Sequence, residues 1–549
     1  MIDEFRFLAR RAGLALADRT VTMPLVRWAW TGPTHTDWDQ ALSEFRPTDR
    51  ETVTEMMGGR YLLAARLVDT HGVSPFSVHS DNDIWLDALH SFSWLRHFRE
   101  ARNDAERGFA RTLVLDWIGR EGRYDRDVWA LGLTARRVLN WLRHFALLAE
   151  TANPEQTARI ARALATQIQS LKWRINFAGD PAEALFAATA LAGVALCDER
   201  EQSRLEPRLR LLMRMIEQQT APGGMHLSRN PAVQLDLLVE LVSLRQGLRR
   251  HHEALADALG QRIEPMHGAL DAVTLGTGEP VYFNGCGHLQ HDLLISVQAQ
   301  STVPRRRESQ ACDGYGVLAM GQAMVVADAG TISPPDFTRN AHASGLAFEF
   351  SHGRELLVGS CGPAPDELGA NADLFRQGVA HSGITIDAVS PATIPSRGIY
   401  AGRLIGRGEP PDLAVMAEDG ALMMRSTAYR DMFGVTVERR LTLLAEGKTL
   451  VGQDRLVPEP GQAVGGQATL RFHLAPSIRL FRGENEDLLR LHLPSGAQWT
   501  FLWEGVAMRV EDSVRQSAYF GFHRTQQIVL EAAVAEAPEI AWIFTLEEQ

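Results

Sequence analysis

WALGLTARRVLNWLRHFALLAE, residues 129–150, places Leu131, Ala135, Val138, Leu142, Phe145 and Leu148 at intervals of three and four. That spacing gathers apolar side chains on one stripe of an α-helix. The same periodicity runs from about residue 60 to 270. It predicts further helices over 83–99, 106–118, 155–174, 181–196, 202–219, 231–247 and 252–263. The joins are short and carry Gly, Pro, Asn or Asp, as in TANPE and AGDPAE. No single helix can hide its stripe alone, so successive helices must pack antiparallel. A bundle, a superhelix or a toroid would satisfy the pattern. No fixed-length repeat is visible, which weighs against the superhelix.

After about residue 278 the pattern changes. Runs become short and often alternate, as in GLAFEFSHGRELLVGS and VTVERRLTLLAEGKTLVGQDRLV. In ATLRFHLA, Leu470, Phe472 and Leu474 should face one way and Arg471 and His473 the other. Crossover helices are missing, so a parallel sheet is disfavoured and an antiparallel sandwich or barrel is expected. The expected division is an N-terminal arm over 1–60 packed on the helices, a helical domain over 61–277, and a β domain over 278–549.

The chain has 549 residues, 45% apolar and 22% charged, with a formal net charge of −11. Its length requires more than one core. Its acidity disfavours nucleic-acid binding. The basic run Arg305–Arg307 is short, and G-x-G-x-x-G, Walker, H-E-x-x-H and G-x-S-x-G motifs are absent, so neither nucleotide nor serine-hydrolase chemistry is supported. Four cysteines form no disulfide framework. Asp3 and Glu4 stand where a secretory signal would be basic, and no run of 18 apolar residues spans a membrane. The expectation is a cytoplasmic protein, or a periplasmic one if the N-terminus is incomplete.

Four segments carry side chains suited to chemistry. APGGMHLSRNP, residues 221–231, brings His226, Arg229 and Asn230 to a helix start, where an anion would be favoured. The plainer reading has Asn230 capping that helix. RNAHASGLAFEF, residues 339–350, sets His342 before a strand. Cys361 in LLVGSCGP and His381 in GVAHSGITID could join His342 as a zinc set, although spacings of 19 and 20 match no local signature. CDGYG, residues 312–316, offers Tyr315 as acid or base, or as a strand anchor. Trp85, Trp94, Trp117, Trp129, Trp141 and Trp173 could stack on sugars, but at helical spacing they are first read as core.

These residues resemble the heparinase II/III-like family. The likeness is carried by HASGLAFEFSHGRELLVGSCG, FRQGVAHSGITIDAVSP and YRDMFGVTVERRLTLLAEGKTLVGQDRLV, extends to APGGMHLSRNPAVQLDLLVELVSLRQ, and echoes weakly in WLDALHSFSWLRHF. It implies a multidomain α+β chain: an incomplete α/α toroid followed by an antiparallel β-sandwich, with a cleft between them. It implies β-elimination on a uronate-containing acidic polysaccharide or oligosaccharide, such as a glycosaminoglycan or alginate. A base takes the C5 proton, donors stabilise the carboxylate, and an acid protonates the leaving oxygen.

Carried onto this chain, the resemblance makes His342, His226, Tyr315 and Asn176 the catalytic candidates. Arg229, Asn230 and Trp173 become substrate contacts, and His342, Cys361 and His381 ligands of a structural zinc; the chemistry itself needs no cofactor. The chain departs from the family pattern at three places. Ser344 stands where a His-x-Asp motif has its acid. Ala232, Val233 and Gln234 follow Pro231 without the expected tyrosine. Phe177, not His, follows Asn176. The alternatives are a carbohydrate-binding protein without catalysis, or a hydrolase using carboxylates such as Asp313 and Glu349. The expected partner is an acidic glycan, with no nucleic acid, nucleotide or membrane span; the oligomeric state is open, a dimer included.

Overall fold

The computed structural model describes residues 42–547 apart from 81, 123–124, 126, 304–306, 331–332, 365, 484–487 and 518–520, together with isolated positions before 42. Most of the expected N-terminal arm, and Arg305 and Arg306, lie outside the described residues. Contacts divide the chain into two compact units. One holds Met1–Thr220, Leu235–Glu264 and Asp292–Ser301, the other Ala221–Gln234, Pro265–His291 and Thr302–Gln549. The division is not one cut along the chain.

The first unit is helical. Its long elements are Asp104–Glu121, Leu131–Ala149, Pro154–Arg174, Pro181–Cys197 and Leu205–Gln219. Their starts follow capping chemistry. Asn153 and Gln156 form a reciprocal capping box ahead of Pro154, and the Asp180 side chain caps Pro181–Cys197. Every residue from Ala184 to Cys197 is buried, as a helix that is apolar all round must be. Leu42, Leu139 and Gly193 meet closely, because a Cβ at Gly193 would sit 3.2–3.3 Å from both leucines.

Three local expectations change. The helix read over 83–99 is broken at Phe92, whose φ of 60° ends Asp83–Ser91 and leads into a 3-10 run. Residues 60–69 form a hairpin, Arg60–Leu63 paired with Arg66–Asp69, rather than helix. After 278, where no helix was expected, His291–Gln298 is helical. The helix read over 252–263 continues to Ala272 through Pro265, the residue at which it passes from one unit to the other.

The second unit is built on two antiparallel sheets. A nine-stranded sheet orders Ala507–Ser517, Gly521–Ala533, Gln467–Leu474, Glu355–Gly359, Ala347–His352, Ala323–Asp328, Tyr315–Met320 and Gln310–Cys312, with Ile384–Ile386 added on Gln467–Leu474. An eight-stranded sheet runs from Asp412–Met416 to Arg479–Arg482. Phe348 and Phe472 of the first interlock with Trp542 and Phe544 of the second, with ring centroids 4.8–5.9 Å apart. Leu470, Phe472 and Leu474 all enter this core, as their alternation predicts.

The nine-stranded sheet is also covered on its other face. Met225, Val273, Val281 and Phe283 pack there on Tyr315, Val317, Met324 and Val326. All six residues of Ala323–Asp328 are therefore buried, which is why AMVVAD reads as a continuous apolar run and not as an alternation. The chain thus has the α/α-toroid and antiparallel-sandwich architecture, with Ala221–Gln234 and Pro265–His291 laid against the sandwich.

Candidate functional site

The site grows from a two-residue turn. Asp313 and Gly314, at φ 47° and 87°, join Gln310–Cys312 to Tyr315–Met320, the left-handed pair a tight hairpin demands. The Asp313 carboxylate accepts from Gly223 N and Met225 N, each at 2.9 Å. Gln234 clamps the same loop, accepting from His226 N and donating to Gly224 O and Met266 O. Gly224 has φ 98°, and a Cβ there would lie 2.2 Å from the Pro265 backbone, so only glycine fits. Asn230 caps the helix Pro231–Leu248 by accepting from Ala232 N at 2.8 Å. Its side-chain oxygen is thereby occupied, and the capping reading holds for it.

This loop delivers Arg229, itself left-handed at φ 54°, onto the sheet. Its guanidinium pairs with Asp328 at 2.6 Å and lies 4.3 Å from the Tyr315 ring centroid. Asp328 closes strand Ala323–Asp328 and is saturated with donors. It accepts from Arg229, from Gly330 N at 2.7 Å and from Ser344 Oγ at 2.5 Å, with Asn284 Nδ2 at 3.4 Å. Ser344, in the family's acid position, thus supplies a donor to an acid on the neighbouring strand.

Tyr315 does not fit the acid–base role expected of it. It is fully buried, donates to Arg229 O at 2.5 Å and accepts from Asn284 Nδ2 at 2.8 Å. Burial pushes its phenol well above the ordinary range. His226 is 1% exposed, hydrogen-bonds Ser228 and packs edge-on against Phe337. Burial pulls its imidazole down to about 3, so it is neutral at pH 7.

His342 Nδ1 lies 3.2 Å from His381 Nε2. Burial, then His381 and Arg376, hold the His342 imidazole well below its usual value, and burial brings His381 to about 4. The zinc expectation fails at Cys361. Its sulfur faces His473 Nδ1 at 3.7 Å instead, and among the described residues no three His, Cys, Asp or Glu side chains gather as a metal site. The residues present do not fit the zinc set.

Arg229, Asn284, Asp328, Thr338, His342 and Arg407 line one narrow pocket within the second unit, with Glu409 at its wall. Its internal volume is about 40 Å³, enough for a few waters or a carboxylate and too little for a sugar ring. Two of the expected residues, Arg229 and His342, meet here. His226, Tyr315 and Asn230 stand behind the wall. Asn176 and Trp173 belong to the helical unit, where both are exposed. Trp85, Trp94, Trp117, Trp129 and Trp141 are core. Asp313 and Glu349, offered as a hydrolase pair, do not line the pocket: one caps the loop and the other is wholly buried.

Sequence reading missed Asn284, Asp328 and Arg407. Asp328 could have been noticed as the one acid closing a fully apolar run. The charge balance is specific. Arg229 is neutralised by Asp328, and both Asn284 amide hydrogens are spent on Tyr315 and Asp328. Arg407 keeps its Nε buried without a partner, so an acidic ligand would find its free cation there.

A helical unit joined to a two-sheet antiparallel sandwich with this buried Arg–Asp–His pocket is the scaffold of the toroid-type polysaccharide lyases. Residues 304–543 match the family model described as Heparinase II/III-like, C-terminal, and the chain belongs to the heparinase II/III-like family. It is 26% identical over 538 residues to FtsZ-localized protein C of Caulobacter vibrioides (strain NA1000 / CB15N), covering 92% of this chain and 90% of that one. Among solved structures, heparinase III matches with a TM-score of 0.70 at 11% identity, over 95% of this chain and 88% of that one. A mutant of the heparan sulfate lyase HepC from Pedobacter heparinus matches at 0.61 and 14%, over 99% and 89%. At such identities these structures share the fold alone. Among the described residues no helix is long and apolar enough to cross a membrane.

Proposed function

We propose that the protein binds a uronate-bearing acidic glycan on a lyase scaffold without cleaving it. The observation that carries this reading is the makeup of the pocket. It offers a carboxylate the guanidinium of Arg407 and presents no strong base. Elimination needs a group that can hold a proton taken from carbon. His342 is a poor one, because burial disfavours its charged form. Glu409 pairs with Arg430 at 3.3 Å, and the Tyr315 hydroxyl is bonded on both sides.

The test is calorimetric titration with heparin- and alginate-derived oligosaccharides, followed by ultraviolet absorbance of the same mixtures. Binding is expected, and Arg407→Ala should weaken it about tenfold, the scale of one charge-assisted hydrogen bond. No absorbance from a new C4–C5 double bond should develop. Accumulation of unsaturated product would overturn the reading in favour of a lyase.

A second reading rests on the near full-length match to FtsZ-localized protein C: that this protein also works where FtsZ assembles. Co-sedimentation with FtsZ polymers tests it, and a protein left wholly in the supernatant would end it.

A further inference from the structure

The hairpin Arg60–Leu63/Arg66–Asp69 lies in the helical unit, outside everything described above. One of its faces is anchored: Tyr61 and Leu63 are 2% and 7% exposed, and Trp85 Nε1 donates to Tyr61 O at 3.3 Å. The other face is open. Arg60, Leu62, Leu67 and Asp69 are all exposed on it, the two leucines at 50% and 57%. Register sets Leu62 directly across from Leu67, and Arg60 directly across from Asp69. The turn is Ala64–Ala65, both left-handed at φ 48° and 61°. Such a turn is cheapest with Asn-Gly or Gly-Gly, and alanine there costs about 1–2 kcal/mol per residue. The chain keeps an apolar tip beside its two leucines despite that cost.

The face is complementary to itself. Rotate a second copy by 180° about an axis parallel to the strands and lying just above the face. Each first strand then lies over its partner's second strand. Leu62 meets Leu67 of the second copy, and Arg60 meets Asp69, at two symmetric places. Opposite charges meet at both, and no like charges do.

We propose that this hairpin face is a homodimer interface, two copies packing leucine on leucine with reciprocal Arg60–Asp69 pairs. An isologous contact of this kind closes on itself and stops at two. The face is small against a standard interface of ~800 Å² per partner, so the dimer is weak, with a Kd on the order of 10 μM.

Sedimentation equilibrium on the full chain gives the first readout: a monomer–dimer equilibrium that Leu62→Glu shifts to monomer without changing the melting temperature. Leu62 is half exposed, so this variant folds. Cross-linking gives the second. A Leu62→Cys chain mixed with a Leu67→Cys chain should form a disulfide-linked dimer under mild oxidation, while either chain alone should form several-fold less. The native cysteines are buried and stay silent. A protein that remains monomeric up to about 100 μM overturns the proposal. So does a dimer unaffected by Leu62→Glu, or one in which each single-cysteine chain links to itself as readily as to the other.

Discussion

Asp328 shows how much one side chain can organise. It holds Arg229, Ser344, Gly330 N and Asn284 at once, and it is 1% exposed. Replacing it leaves a buried guanidinium without its counter-charge, which typically costs about 3–5 kcal/mol. Asp328→Ala should lose that much in urea denaturation, and adding Arg229→Met should restore part of it. A loss below about 1 kcal/mol would mean the pair is not dry. His342 and Arg229 were legible in the sequence because each stands in a conspicuous local setting, a strand entrance and a Gly-Gly loop. Asp328 and Asn284 were not. Their meaning comes from partners 99 and 31 residues away, a relation that local spacing does not carry. Tyr315 misled because a tyrosine in a glycine-rich turn looks reactive until its hydroxyl is seen bonded twice.

Elements were legible wherever burial was one-sided. Alternation gave the right faces for Gln467–Leu474, and the three-four spacing found the long helices. It failed where backbone geometry overrode pattern, at left-handed Phe92 and at the hairpin of residues 60–69. Glycines test the packing most sharply. Gly452 pairs in register with Trp542, and a Cβ there would lie 2.0 Å from the indole. Gly452→Val should therefore cost about 3 kcal/mol or more in denaturation. Gly268, inside the helix Glu253–Ala272, has nothing within 4 Å of its would-be Cβ. Gly268→Ala should raise stability by about 0.5–1 kcal/mol. Reversed signs would contradict the packing around both positions.

At the scale of the whole molecule, six buried imidazoles share one behaviour. Burial brings His90, His144 and His381 to about 4, and His97, His226 and His473 to about 3. Between those values and the ordinary 6.5, the unfolded chain binds protons that the folded chain refuses. Stability is then complete above pH 6.5 and falls as pH drops toward 3, by up to ~1.4 kcal/mol per histidine per pH unit. Glu349, raised by burial, runs the opposite way, but one carboxyl does not offset six imidazoles. Thermal melts should fall steadily from pH 7 to pH 5. A flat profile across that range would show that water reaches these rings.

The interleaving of the two units bears on how the chain is made. Arg229 leaves the ribosome 99 residues ahead of Asp328, an interval on the order of 5–20 s at ordinary rates of synthesis. Throughout that wait the glycine loop has a cation and nothing to hold it, while the helices on either side are already able to form. The pocket is therefore among the last parts of the molecule to exist. A ribosome stalled before residue 328 would carry a folded scaffold with no binding site.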